Sequence, residues 1–398
     1  MDYVKQPLGF RIRKAIRSVA MFGPGRTYIN VMGQRHMRRS YEHLPPQIGG
    51  QNDRQTVGII GCGNYSFSVI AYFLHKEFGD VIASCMDKDI NRAASYASHY
   101  KVPYYTDKAE EIISNPQIRL IYIASNHASH AEYAIKALEA GKDVYIEKPH
   151  VVSVDQLLRL NQAMQNYNGK VFLGFNRPGS RFGQMIKNTL AAKDGPAVIN
   201  WFVIGHCLSP GHWYLRDGEG GRVLGNLCHW TDYTLRLIRG NPFPITIIPV
   251  RQNQSDQDMA VNLVFGDGTI ATITFTGQGY TFEGVRECFR AQKGDIIVAM
   301  DDFKYLLIEI MTLKKRYINY HHDPGHRNNI VSSFKNTHES ARYDRQSEIS
   351  HILNTAWLFL NTKEAMEINE RLTIGSFEEY LEAASANRKQ PERMAMEK

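Results

Sequence analysis

Between residues 56 and 176 short apolar runs alternate with amphipathic stretches of helical period, and that alternation leaves few folds open. "TVGIIG" (56–61), "DVIASCMD" (80–87), "RLIYIAS" (119–125), "DVYIEKP" (143–149) and "KVFLGFN" (170–176) read as buried strands. "SFSVIAYFLHKEF" (66–78), "NRAASYASHY" (91–100), "HAEYAIKALEAGK" (130–142) and "SVDQLLRLNQAMQNY" (153–167) read as helices. Strands that are apolar on both faces and linked through helices demand a parallel, doubly wound sheet, a Rossmann-type α/β domain.

The first strand runs into "GIIGCGNYS". Gly61 permits a tight turn and Gly63 lets the backbone approach a pyrophosphate. Ser66 stands where a third glycine could be and is small enough for helix–strand packing. The N–H groups of Asn64 and Tyr65, opening the helix, complete an anion cradle. Twenty-one residues beyond Ser66, Asp87 ends the second strand, where an acidic residue holds a ribose. The pattern predicts dinucleotide binding, and a carboxylate at 87 favours NAD over NADP because it repels a 2′-phosphate.

At 398 residues the chain exceeds one ordinary core. Beyond 176 the texture changes to strand-like segments with Gly-Asp turns. "FGDGTI" (265–270) is a hairpin signal, and the expectation is an α+β domain on a large, open, mostly antiparallel sheet with a late helix over 347–369. The predicted divisions are a basic extension and linker (1–52), the Rossmann domain (53–176), a substrate and oligomerisation domain (177–384) and a polar tail (385–398). Five scattered cysteines without C-x-x-C spacing suggest a reduced, cytoplasmic protein with no metal site. No apolar run approaches the length of a membrane helix.

Of 47 basic and 40 acidic residues, the first fifty positions hold nine and two, leaving 38 of each elsewhere. A neutral body argues against a nucleic-acid partner. Within the arm, Leu8, Ile12, Ile16, Val19 and Phe22 recur at helical spacing among Arg and Lys, and Gly23-Pro24-Gly25 ends the run. A basic amphipathic helix over 8–22 can dock on an anionic membrane or a partner, or wrap its own fold or a second subunit.

"GKDVYIEKPHVV" (141–152) ends an apolar strand in Glu147, Lys148 and Pro149. Ligands bind at the C-terminal ends of parallel strands, so Lys148 would stand beside a nicotinamide. Partial burial near a cationic ring is expected to lower its pKa and suit it to acid–base work.

"GIIGCG", "SNHASHAEYAIKALEAGKDVYIEKP" and "GFNR" together resemble the Gfo/Idh/MocA oxidoreductases over roughly 56–180. The resemblance implies a Rossmann domain followed by an α/β domain with an open sheet. It makes Lys148 the catalytic or substrate-positioning lysine and Asn126, after Ser125, a cofactor contact, with His130 and Glu147 beside them. At "GHWYLRDGEGGRVLGNLCHWTDYTLRL" (211–237) the likeness resumes. His229 matches the family's acid–base histidine, whereas the usual Asp position is Gly225. Asn226 stands where a subgroup encoded with polysaccharide enzymes carries Glu, and Asp232, one turn from His229, is the candidate replacement carboxylate. Asn176 and Arg177 are expected to reach a polar substrate, and His212 and Trp213 to line a sugar pocket. His321, His322 and His326 read as a loop near the active site or an interface rather than a metal set.

The reading is an NAD-dependent oxidoreductase for a sugar, sugar nucleotide or cyclitol, with Lys148 and His229 as acid–base and positioning groups, assembled as a homodimer or homotetramer. It would be cytoplasmic, with the arm able to hold it at the inner membrane face. Two alternatives use the same residues: an enzyme of glycosidase or lyase type that uses NAD without net redox change, and a silent NAD-binding scaffold.

Overall fold

The computed structural model describes residues 6–50, 52–209, 211–251, 257–279, 284–339 and 343–396, with side chains as far as 386. The arm opens with α1 (Leu8–Phe22), which stops at Gly23 (φ 82°), and α2 (Pro24–His36), which begins on Pro24. Residues 39–50 then run along the outer edge of the first sheet, where Tyr105 Oη donates to the Pro45 carbonyl at 2.5 Å and Gly49 N donates to the Pro103 carbonyl at 3.3 Å.

That sheet contains β1 (Val57–Ile60), β2 (Ile82–Met86), β3 (Tyr104–Thr106), β4 (Leu120–Ile123), β5 (Asp143–Ile146) and β6 (Val171–Leu173). They are all parallel in the order β3-β2-β1-β4-β5-β6, as the alternation predicts. One face packs under α2, a wide turn at Ser66–Ala71 continuing into α3 (Tyr72–Phe78), and α4 (Ile90–Tyr100). The other packs under α5 (Ala109–Ile113), α6 (His127–Glu139) and α7 (Val154–Asn166). The caps are those the sequence offers: Asp89 accepts from Asn91 N at the start of α4 and Ser153 from Gln156 N at the start of α7.

The second half begins with α8 (Arg181–Ala191) and β7 (Val198–His206), then α9 (Cys228–Leu237). β8 (Ile245–Arg251), β9 (Asp258–Val264), β10 (Ile270–Gly279), β11 (Arg286–Lys293), β12 (Ile296–Asp301), β13 (Tyr305–Ile310) and β14 (Leu313–Ile318) follow. β15 (Leu372–Ile374) completes a nine-stranded sheet ordered β14-β13-β12-β11-β7-β10-β9-β8-β15. The sheet is mostly antiparallel, as expected, with one parallel ladder. β7 and β10 pair in parallel from Val198↔Ile270 to His206↔Gly279, because the long excursion through α9 and two further strands returns the chain beside β7 in the same direction. "FGDGTI" is the β9–β10 turn, with Gly268 at φ 87°. Ile199, Trp201 and Val203 face the core, while Val198 and Phe202 face outward.

Three late helices follow: α10 (His326–His338), α11 (Arg345–Ile368) and α12 (Phe377–Met396). α11 is the helix expected over 347–369. Backbone helix also extends through the expected tail from 385 to 396. α10 crosses back to the Rossmann sheet. Ile330 is fully buried against that core, and Tyr122 Oη on β4 meets the Ile330 carbonyl at 3.2 Å and Ser333 Oγ at 2.9 Å. By packing, this helix completes the first domain from a position some 150 residues after Asn176.

Candidate active site

The glycine turn has the geometry that a dinucleotide needs. Gly61 sits at φ 95°, and a Cβ there would lie 2.5 Å from the Ala124 carbonyl oxygen, so only glycine fits. A Cβ on Gly63 would meet nothing within 4 Å, which leaves open space over the turn. Asp87 reaches this turn, accepting from Cys62 N at 2.9 Å through Oδ2. The arm also touches it. His36 Nε2 donates to the Cys62 carbonyl at 2.7 Å, its ring stacks on Phe67, and Gly33 passes so close that a Cβ would fall 2.4 Å from Asn64 Oδ1.

β4 and β5 end beside this turn. Lys148 follows β5, and its peptide bond to Pro149 is cis. Lys148 Nζ donates to the Gly225 carbonyl at 2.6 Å and lies 3.4 Å from Tyr214 Oη, with the Tyr214 ring 5.7 Å away. The expected fall in its pKa is reversed. Burial pushes the ammonium down, but Tyr214, Cys228 and Glu147 push it up and outweigh burial.

Glu147, next to the lysine in the chain, is bonded within the protein. It is buried and accepts from Tyr145 Oη at 3.1 Å and from Lys148 N at 3.2 Å; burial raises its pKa. Tyr65, at the glycine turn, has its Oη 3.2 Å from His326 Nδ1. His130 is also buried, with both ring nitrogens on backbone carbonyls. Its Nδ1 lies 2.8 Å from the Pro149 carbonyl and its Nε2 3.1 Å from the Ser125 carbonyl, tying the ends of β4 and β5 together. Ser125 Oγ pairs with Ser129 Oγ at 2.7 Å, and Ser129 Oγ in turn donates to Asn126 Oδ1 at 2.7 Å.

Asn126 also donates through Nδ2 to Glu219 Oε1 at 2.7 Å, and Glu219 Oε2 accepts from Ala128 N at 3.3 Å. Glu219 comes from the loop before α9 and caps the N-terminus of α6 with a carboxylate. The same loop brings Trp213 edgewise and Tyr214 at a tilt onto His127, with centroids at 4.5 Å and 4.6 Å. His212 caps its own turn, accepting from Tyr214 N at 3.2 Å. This loop therefore roofs the crevice end of β4 and β5.

The position of the absent family carboxylate has a structural explanation. A Cβ on Gly225 would lie 2.6 Å from Tyr214 Cε2, so the Tyr214 ring fills the space that a residue-225 side chain would take. His229 is buried, with its Nδ1 unpartnered. Burial and the positive fields of Arg177 and Lys148 hold its pKa well below the ordinary value, so the imidazole is neutral. Asp232 does not orient it. That carboxylate is fully buried and accepts from His351 Nε2 at 2.7 Å and Thr355 Oγ1 at 3.1 Å, both on α11.

Asn176 and Arg177 are also committed elsewhere. Arg177 makes a forked pair with Glu287 on β11, at 3.1 and 2.7 Å, and donates to Asn176 Oδ1 at 2.9 Å. Asn176 Nδ2 donates to the Pro324 carbonyl at 2.7 Å, and Trp230 Nε1 donates to Glu287 Oε2 at 2.7 Å. His321 and His322 lie before α10, and His326 is its first residue. His322 N donates to the Met21 carbonyl at 2.8 Å, and His326 faces Tyr65.

Asn64 Oδ1, Asn226 Oδ1, His229 Nδ1 and His322 Nδ1 are buried without a protein partner. Folded proteins leave few such atoms, and these four flank the glycine turn, the lysine and the loop before α10. Together with the open space at Gly63 they fit a bound dinucleotide and a polar substrate. Tyr214 and Glu219 lie in the 211–237 segment but had no role assigned from it, and Glu287 and His36 carried no motif. Only Glu287 had a legible signal, a carboxylate in phase with the core residues Phe289 and Ala291 along one strand.

Residues 55–175 match the model of the Gfo/Idh/MocA family, described as an oxidoreductase family with an NAD-binding Rossmann fold. "Oxidoreductase P35" of Formosa agariphila is 32% identical over 120 residues, 30% of this chain and 37% of that protein. Inositol 2-dehydrogenase of Ralstonia nicotianae is 29% identical over 124 residues, 31% of this chain and again 37% of that protein. The alignments thus span a little over a third of these relatives' length. A levoglucosan dehydrogenase solved with NADH and levoglucosan shares the fold at TM-score 0.68 and 16% identity, covering 80% of this chain and 98% of that one. Over residues 55–175 the chain is thus similar to the Gfo/Idh/MocA oxidoreductases, in the part that their family model describes as an NAD-binding Rossmann fold.

Proposed function

We propose that the chain is an NAD-dependent dehydrogenase or reductase acting on a hydroxyl-bearing carbon of a sugar, sugar nucleotide or cyclitol. The observation that carries this reading is the placement of Lys148. Its ammonium stands at the crevice end of β5, bonded to the Gly225 carbonyl and near Tyr214, with neutral His229 in its field. The inositol and levoglucosan dehydrogenases support a polyhydroxylated ring as substrate class.

When bound, NAD supplies the acceptor or donor of a hydride. The chain's own residues would do the rest. Lys148 donates hydrogen bonds and can present one to a substrate hydroxyl in place of the Gly225 carbonyl. His229, neutral and with a bare buried nitrogen, can take the proton that a hydroxyl loses as its carbon is oxidised. The Glu219 loop excludes water over both. Asp87 at the turn favours NAD over NADP, and five free cysteines agree with a reducing, cytoplasmic setting. The likeness of 211–237 to proteins encoded with polysaccharide enzymes suggests that setting. The outward Val198, Phe202, Ile270 and Ile297 support pairing of copies through the open sheet.

A second reading, an NAD-binding protein without turnover, is favoured by one observation: the only carboxylate within a turn of His229 along its own helix, Asp232, is turned to α11. Absorbance at 340 nm across sugars, UDP-sugars and inositols separates the two. Lys148→Ala is expected to keep NAD binding and lose turnover by about 100-fold or more. Undiminished turnover would remove Lys148 from the chemistry, and NAD binding without turnover on the whole panel would favour the second reading.

A further inference from the structure

α1 is built the wrong way round for a helix that serves its own fold. Phe10, Lys14, Ser18, Met21 and Phe22 lie toward the protein, partly covered, and Ser18 Oγ accepts from Thr27 Oγ1 at 3.0 Å. The apolar stripe faces outward. Leu8 is 67%, Ile12 50%, Ile16 65% and Val19 40% exposed, and no residue of α1 is buried. At 100° per residue these four fall within one quadrant of the helix, and the exposed Arg11 and Arg13 stand on its two sides. The C-terminal end is anchored by the Met21 carbonyl on His322 N and by Phe22 edgewise on the His322 ring at 5.4 Å.

We propose that α1 is a docking surface for an anionic lipid bilayer. Charge selects this occupant. From Tyr3 to Tyr41 there are nine Lys or Arg and no Asp or Glu, so a second copy laid on the stripe would set arginine against arginine with nothing to neutralise it. A straight apolar line flanked on both sides by cations matches a planar interface, with side chains in the acyl boundary and guanidinium groups among phosphates. No helix among the described residues is long and apolar enough to cross a membrane, so the contact is peripheral. Because α1 is tied to the loop that carries His322 and leads to His326, docking would turn the crevice toward the membrane surface.

The test uses the full chain and vesicles of phosphatidylcholine with 30% phosphatidylglycerol, compared with pure phosphatidylcholine, by cosedimentation at low salt. The expected result is at least a tenfold preference for the anionic vesicles. Ile12→Glu with Ile16→Glu should abolish binding, and Arg11→Gln with Arg13→Gln should weaken it several-fold. All four side chains are exposed, so thermal unfolding and NAD binding should stay as in the parent chain. Absence of binding to the anionic vesicles, or equal binding by the Ile12→Glu/Ile16→Glu chain, would overturn the proposal. So would conversion of a dimer to a monomer by those two substitutions, which would show a second copy on the stripe. NAD binding and turnover, measured on the same samples, report on the oxidoreductase reading separately.

Discussion

At position 225 the backbone runs beneath an aromatic ring: a Cβ would lie 2.6 Å from Tyr214 Cε2 and 3.1 Å from His127 Cε1. The smallest addition must therefore push Tyr214 away from Lys148. Gly225→Ala is expected to lower kcat by about 10- to 100-fold, the range for roughly an ångström of misplacement, with NAD affinity unchanged; steady-state kinetics beside a cofactor titration check it. Tyr214→Phe keeps the ring and deletes the hydroxyl. Since Tyr214 raises the Lys148 pKa, the basic limb of the pH–rate profile should move to lower pH in that variant. Lys148, Asn126, His229 and the glycine turn were legible because local motifs place them. Asp232, Asn176 and Arg177 were not, because the partners that occupy them, on α11, on β11 and at Pro324, lie more than a hundred residues away. A polar residue next to a motif looks available until its partner is seen.

Among the elements, β11 and α10 do the long-range work. Glu287 on β11 holds Arg177 from the end of the Rossmann domain and Trp230 from α9, all three buried or nearly so. Glu287→Ala leaves a buried guanidinium without its counter-charge and is expected to cost about 3–5 kcal/mol, measurable as a fall in the urea midpoint. Ile330→Ala on α10 opens a cavity over β4 and should cost about 2–5 kcal/mol. The β–α alternation, the late helix and the hairpin at Gly268 were readable from period and turn chemistry. The return of α10 to the first sheet was not, since its amphipathic pattern records that one face is buried and not which sheet buries it. The parallel β7–β10 ladder was hidden for a similar reason: strand period is the same in either direction.

Over the whole molecule, buried neutral histidines set the response to acid. His36, His127, His130, His150, His229, His326 and His351 are all held below their ordinary pKa by burial, and His150 stands at about 4. An unfolded histidine takes up its proton near pH 6.5, so between there and about pH 4 the unfolded chain binds protons that the folded chain refuses. Stability is therefore full above pH 6.5 and falls as the pH drops. His150 alone contributes on the order of 3 kcal/mol to that loss. Urea midpoints at pH 7 and pH 4.5 should differ strongly in the parent chain and less in His150→Gln.

The crossing of α10 also orders events during synthesis. β6 ends at Leu173 and Ile330 follows about 150 residues later, a delay of roughly 8 to 30 seconds at translation rates of about 5–20 residues per second. Through that interval the flank of the first sheet around Tyr122, Tyr145 and Phe172 has left the ribosome without the helix that covers it. The nascent Rossmann domain is thus a sheet with half of one side bare. A fragment released at Asn176 should bind hydrophobic dyes and aggregate, and adding residues 326–338 in trans should reduce both.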